Sequence, residues 1–242
     1  MAIDIEEAVR YPANSDDWLK TVLIGGVLTM LSFLIVPAFF VYGYVIRTLR
    51  AGIADEAEPP AFDDWGTLLK EGVVGLVILL VYQLIPLLVM AVTVGGSITA
   101  MATGTEAGAG LGLLGLLAGI LFSTLLALVF GYVGLIGITN YAHVGSFGAG
   151  FDIDVIRDVG LDGAYAVPWV YGIVILIGAT AVTSILSLVP VIGAIIGVFI
   201  TFYGQIAAAW VWGKGFANAM DIASDSPTVD EGDAVGDPES TV

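Results

Sequence analysis

This 242-residue chain carries only seven basic residues, and their placement constrains the fold more than any motif does. They stand at Arg10, Lys20, Arg47, Arg50, Lys70, Arg157 and Lys214, and long uncharged stretches separate them at 21–46, 72–105, 107–151 and 163–213. About 20 apolar residues cross the ~30 Å hydrocarbon core of a bilayer. Each of the first three stretches therefore holds one span, and the last holds two. A mean hydropathy of +0.97 agrees. So does a charged fraction of 12%, against roughly 25% in soluble domains. The apolar runs are continuous rather than alternating, which disfavours a transmembrane β-barrel. The fold class read from this pattern is all-α: a polytopic transmembrane helical bundle of about five spans.

The spans fall at about 21–49, 72–100, 111–143, 167–188 and 191–214. They form a membrane domain over 18–220, between an acidic N-terminal tail (1–17) and an acidic tail (221–242). The second tail has little to bury and is expected to be disordered. Asp16-Asp17-Trp18 and Asp63-Asp64-Trp65 open the first two spans. Trp18 and Trp65 are residues that favour the membrane–water interface, and Phe62 beside Trp65 suits the same depth. Asp63 or Asp64 is placed to cap the following helix. Each unit reaches a proline about two-thirds along its span, Pro37 and Pro86, and both are expected to kink it. If the first span crosses once, the two units start on opposite faces, as in the inverted repeats of transporters. The plainer alternative is that Asp-Asp-Trp is a cap and anchor used twice. Gly104, Gly108 and Gly112, then Gly115 and Gly119, recur at the spacing that lets helix backbones approach closely. Pro190 and Gly193 mark the turn between the last two spans. Phe151, Val155 and Val159 share one helical face over 151–161, away from Asp152, Asp154 and Asp158, and this segment reads as an interfacial amphipathic helix.

Composition limits the chemistry. A net charge of −16 argues against nucleic-acid partners, which need basic surface. The same acid surplus suits concentrated salt, where repulsion between carboxylates is screened within a few ångströms. The expected result is a higher unfolding temperature in molar salt than in dilute buffer. Equal stability in both would remove the high-salt reading. The chain has no cysteine, hence no disulfide or thiolate site. Asp4, Glu6 and Glu7 stand where a cleavable signal peptide would be positive, so no such signal is expected. Gly110, Gly112 and Gly115 match a dinucleotide-loop spacing but follow no strand, and helix packing explains them better. His143, the lone histidine, makes a poor metal site. With Gln83, Asn140 and Gln205 it forms a set of candidate polar lining residues, which serve either as cross-helix hydrogen-bonding groups or as a solute path. No ionisable residue lies deep in a span, which removes the usual sign of ion coupling. No catalytic, cofactor or metal residue is assigned. The positive-inside rule puts the first loop, the interfacial helix and the acidic tail in the cytoplasm, by five basic residues to two.

The run of landmarks resembles domain of unknown function 4013, a family of integral membrane proteins typical of salt-loving archaea. The likeness rests on Asp17-Trp18-Leu19-Lys20, on Pro37 with Gly43-Tyr44, Arg47 and Arg50, and on Pro60-Ala61-Phe62-Asp63-Asp64-Trp65 followed by Gly72. It continues through Tyr82 and Ile85-Pro86 to Phe151-Asp152, Val191-Ile192-Gly193 and Trp212-Gly213-Lys214-Gly215-Phe216. It covers most of 15–220, and the Pro-x-Phe-Asp-Asp-Trp loop is its most specific part. Where Ala61 stands the family usually has a longer polar side chain. The resemblance implies a multi-span protein of an archaeal plasma membrane and supplies no ligand or catalytic residue. The expected role is a non-catalytic structural or partner-binding protein that contacts partners through acidic cytoplasmic surfaces, besides the lipid bilayer itself. A small-solute permease is the alternative and an intramembrane enzyme the third. The sequence is silent on oligomeric state.

Overall fold

A computed structural model describes residues 4–222, so the tail expected at 221–242 lies almost wholly outside the described residues. Eight α-helices follow one another: α1 (Ile5–Arg10), α2 (Trp18–Met30), α3 (Val36–Ile53), α4 (Trp65–Met101), α5 (Glu106–Val144), α6 (Ile153–Leu161), α7 (Gly163–Leu186) and α8 (Ile192–Ala219). Short 3₁₀ turns link some of them, and no strand occurs among the described residues. Helices α4, α5, α7 and α8 are long and apolar enough to cross a membrane. The protein is a helical membrane bundle, as the charge spacing required.

The expected first span, 21–49, is not one helix kinked at Pro37. Helix α2 ends at Met30, a 3₁₀ turn occupies Ser32–Leu34, and Ile35 takes φ +67° before α3 begins. Pro37 stands in the first turn of α3, where its missing N–H has no helical partner to lose. The chain also reverses direction. Asn14, just before α2, donates to the Ala57 carbonyl beyond the end of α3 (3.0 Å), and the Tyr11 hydroxyl donates to Glu58 (3.1 Å). Both ends of the α2–α3 hairpin therefore lie at one face. The two Asp-Asp-Trp units begin at that same face, and the premise of an inverted repeat is not met. Backbone freed at the turn is partly recovered by a side chain, as Ser32 donates to Leu28 in the last turn of α2. Ile35 remains strained, a β-branched residue at positive φ. Val191 repeats the device at φ +67° in the α7–α8 turn.

Helix α3 is the keystone of the bundle. A Cβ on Gly43 would strike the Leu68 carbonyl, and one on Gly72 would strike the Phe39 carbonyl, so α3 and α4 touch backbone to backbone. On its other side Gly52 meets the Trp210 carbonyl and Gly213 meets the Leu49 carbonyl, which brings α8 equally close. Gly25 and Gly26 of α2 receive the rings of Phe202 and Phe199 from α8. The α4–α5 hairpin is closed along its length by Gly112, Gly119 and Gly134 of α5, against Ser97 and Met101, Thr93, and Tyr82 of α4. Gly193 fits against the Leu186 carbonyl at the α7–α8 turn. Pro86 stands inside α4, as expected, and is buried.

Length separates the two long hairpins. At about 1.5 Å per residue, the 37 residues of α4 reach about 55 Å and the 24 of α7 about 36 Å. Beyond the α3 crossing, Leu84, Leu87, Leu88, Val92 and Ile98 of α4 are exposed, and so are Leu111, Leu114, Leu117 and Leu121 of α5. An apolar hairpin of that length must lean to stay within hydrocarbon. Helix α6 differs from the sequence reading in one respect. Its apolar face meets protein: Val159 is fully buried in a cluster with Ile136, Tyr165 and Phe216, and Val155 and Ile156 pack against that cluster.

Candidate functional site

The most constructed part of the molecule is the polar loop 54–64 and what holds it. Pro59-Pro60 remove two N–H donors from this loop and fix φ, so its carbonyls are what need partners. Side chains from several elements supply them. Trp210 of α8 donates to Glu56 (3.1 Å), Asn14 to Ala57 and Tyr11 to Glu58. Tyr44 of α3 donates to Pro60 (2.8 Å), and Arg47 donates to both Ala61 (3.0 Å) and Asp63 (3.3 Å). Burial pushes the Tyr11 phenol up, away from ionisation, so it remains a donor. Phe62 lies flat on Tyr44, with ring centroids 4.3 Å apart and planes 6° apart. Trp65 tilts against Phe62 and meets the edge of Phe40, while Trp18 stays partly exposed.

The two aspartates of the loop divide their work. Asp63 pairs with Arg47 (2.5 Å). Asp64, at φ +43°, caps α4 by accepting the Thr67 N–H (3.3 Å). Its hydrogen bonds to Thr67, helped by Arg47, hold its carboxyl below the usual range. The cap is therefore intact at neutral pH and is lost only when acid protonates it.

Two further cations are pinned nearby. Lys214, nearly buried, reaches Asp55 (2.7 Å) and Glu7 (3.6 Å) and lies 4.3 Å over the Trp210 ring. Tyr11 stacks on Trp210, with ring centroids 4.7 Å apart. Arg50 pairs with Glu71 (2.8 Å) and donates to Ala142 (3.0 Å), tying α3 to α4 and α5. What is left unpaired faces outward. Asp16, Asp17 and Glu58 share a groove of about 550 Å³ with Asp63 and Lys20.

All seven basic residues lie at this face, because the α2–α3 hairpin returns Arg10 and Lys20 to it. The turns at the far face, 31–35, 102–105 and 187–191, hold no charge, and Glu106 is the first charged residue after the second of them.

The four candidate lining residues do not converge. Gln83 of α4 faces Gly131 of α5. Asn140 is buried and donates to Ala149 (2.8 Å), fastening the turn after α5. His143 is exposed near the Phe216 ring. Gln205 lines a cavity between α3, α7 and α8. Among the described residues no three acids or histidines are grouped to hold a metal.

The fold and its polar cap define a multi-span helical membrane protein with a re-entrant hairpin and one built face. The chain belongs to the DUF4013 family of proteins of unknown function, whose model matches residues 30–191, from the end of α2 to the α7–α8 turn. No curated protein and no solved structure matches it.

Proposed function

We propose that the protein is a membrane-embedded scaffold that presents the loop face to a basic protein partner, without catalysis. One observation carries this reading. Six carbonyls of the loop are held by side chains from α3, α8 and the N-terminal segment, while Asp16, Asp17 and Glu58 are left without an ion pair. A rigid loop with outward carboxylates binds a cationic surface at little ordering cost. All seven basic residues at one face support a cytoplasmic position for it. The family and the acid surplus support a salt-rich archaeal membrane as its setting. In such salt the contact depends on close pairs rather than long-range attraction.

The test is a photo-crosslinking amino acid at Glu58, with Leu117 on the far hairpin as the control site, in native membranes. The expected result is a discrete adduct from position 58 that disappears when Asp16 and Asp17 are changed to lysine. Adducts equal to those from position 117, or unchanged by the charge reversal, would end the scaffold reading.

A further inference from the structure

The tip of the α2–α3 hairpin, α3, α7 and α8 enclose a groove of about 450 Å³ at membrane depth. Its walls are largely apolar, with Val41, Val45 and Leu176 among them. The polar side chains on it fall into two groups. Thr29 and Ser32 are satisfied by carbonyls of α2, and Trp212 donates to Trp169 (3.2 Å). Gln205 and Tyr42 meet no hydrogen-bond partner among the described residues. An unpaired amide is expensive in hydrocarbon, and most such groups in membrane helices find a neighbour. An apolar recess of roughly 300–1,000 Å³ with a few polar groups is the usual form of a ligand pocket, between helices as elsewhere.

We infer that this groove binds a lipid-soluble molecule from the bilayer, an apolar chain bearing a carbonyl or hydroxyl oxygen that Gln205 and Tyr42 recognise. The Gln205 amide offers both a donor and an acceptor, and the Tyr42 hydroxyl either one. No lysine or arginine lines the groove, so the recognised group is a neutral oxygen rather than an anionic headgroup. The glycerol hydroxyl of a bilayer lipid and the carbonyl of a free quinone both have this chemistry.

The full chain is placed in phosphatidylglycerol vesicles containing a phosphatidylglycerol with a diazirine in its acyl chain, and crosslinked peptides are mapped. The expected result is strong labelling at 38–45 and 205–212. Q205L with Y42F lowers it at least about fivefold, the effect of one lost hydrogen bond. Labelling at 111–121, on the lipid-facing surface of α5, stays constant and reports that the variant is inserted in the bilayer. A38F, which fills the groove, lowers the same signal while keeping both polar groups. Displacement of the groove label by a short-chain quinone would identify a free carbonyl compound as the preferred ligand, and failure to displace would identify the bilayer lipid. Labelling of the groove no stronger than at 111–121, and unchanged in Q205L with Y42F and in A38F, would overturn the inference.

Discussion

Gly43→Leu is expected to prevent the bundle from assembling. The new side chain would enter the space held by the Leu68 carbonyl and its neighbouring backbone, across the closest approach of α3 and α4. Overpacking of a core by flexible side chains costs about 1–3 kcal/mol. Here the obstacle is main chain, which has no rotamer to change, so the expected cost is at or above the upper end of that range. Net stabilities are only about 5–15 kcal/mol, so a loss of this size lowers the unfolding temperature markedly or removes the folded population. Gly72→Leu should behave alike, because a Cβ there meets the Phe39 carbonyl. The control lies on the far hairpin. Gly95, Gly96 and Gly110 have open space around a built Cβ. Alanine at these helical positions should be neutral or stabilise by about 0.5–1 kcal/mol. Thermal unfolding in one detergent measures both sets. Equal unfolding temperatures for Gly43→Leu and Gly96→Ala would show that α3 does not cross α4 as described.

The sequence made the spans legible wherever charge bounded them, since only four helices of this length and hydropathy fit between Lys70 and Lys214. It also made the loop legible as a special place. It did not make the use of the loop legible, because carbonyl groups have no letter in a sequence. Nothing in the letters of Arg47, Tyr44 and Trp210 shows that their partners are backbone carbonyls. The turn at 31–35 was hidden for a related reason. Leu31 to Val36 is apolar apart from Ser32, and hydropathy records composition without recording direction. Proline did not settle it either. Val36-Pro37 and Val189-Pro190 lie at hairpin tips, whereas Ile85-Pro86 and Val167-Pro168 continue helices. Missing that turn assigned Arg10 and Lys20 to the wrong face and made the charge asymmetry look weak. The apolar face of α6 was visible as a period, but whether lipid or protein covers it depends on Ile136 and Phe216, which are distant from Val159 in the chain and clustered with it in space.

The re-entrant hairpin is thus the feature on which topology, charge distribution and the built face all depend. Single cysteines test it directly, because the chain has none of its own. Placed at Asp16, Glu58, Asp154, Glu106 and Leu188, all exposed, they are labelled with an impermeant maleimide in intact cells and again after permeabilisation. The expected result is that Asp16, Glu58 and Asp154 label together, and that Glu106 and Leu188 label together from the opposite side. The effect is all or none at each position. Labelling of Asp16 and Glu58 from opposite sides would mean that α2 and α3 cross as one span, and the one-sided architecture would be wrong.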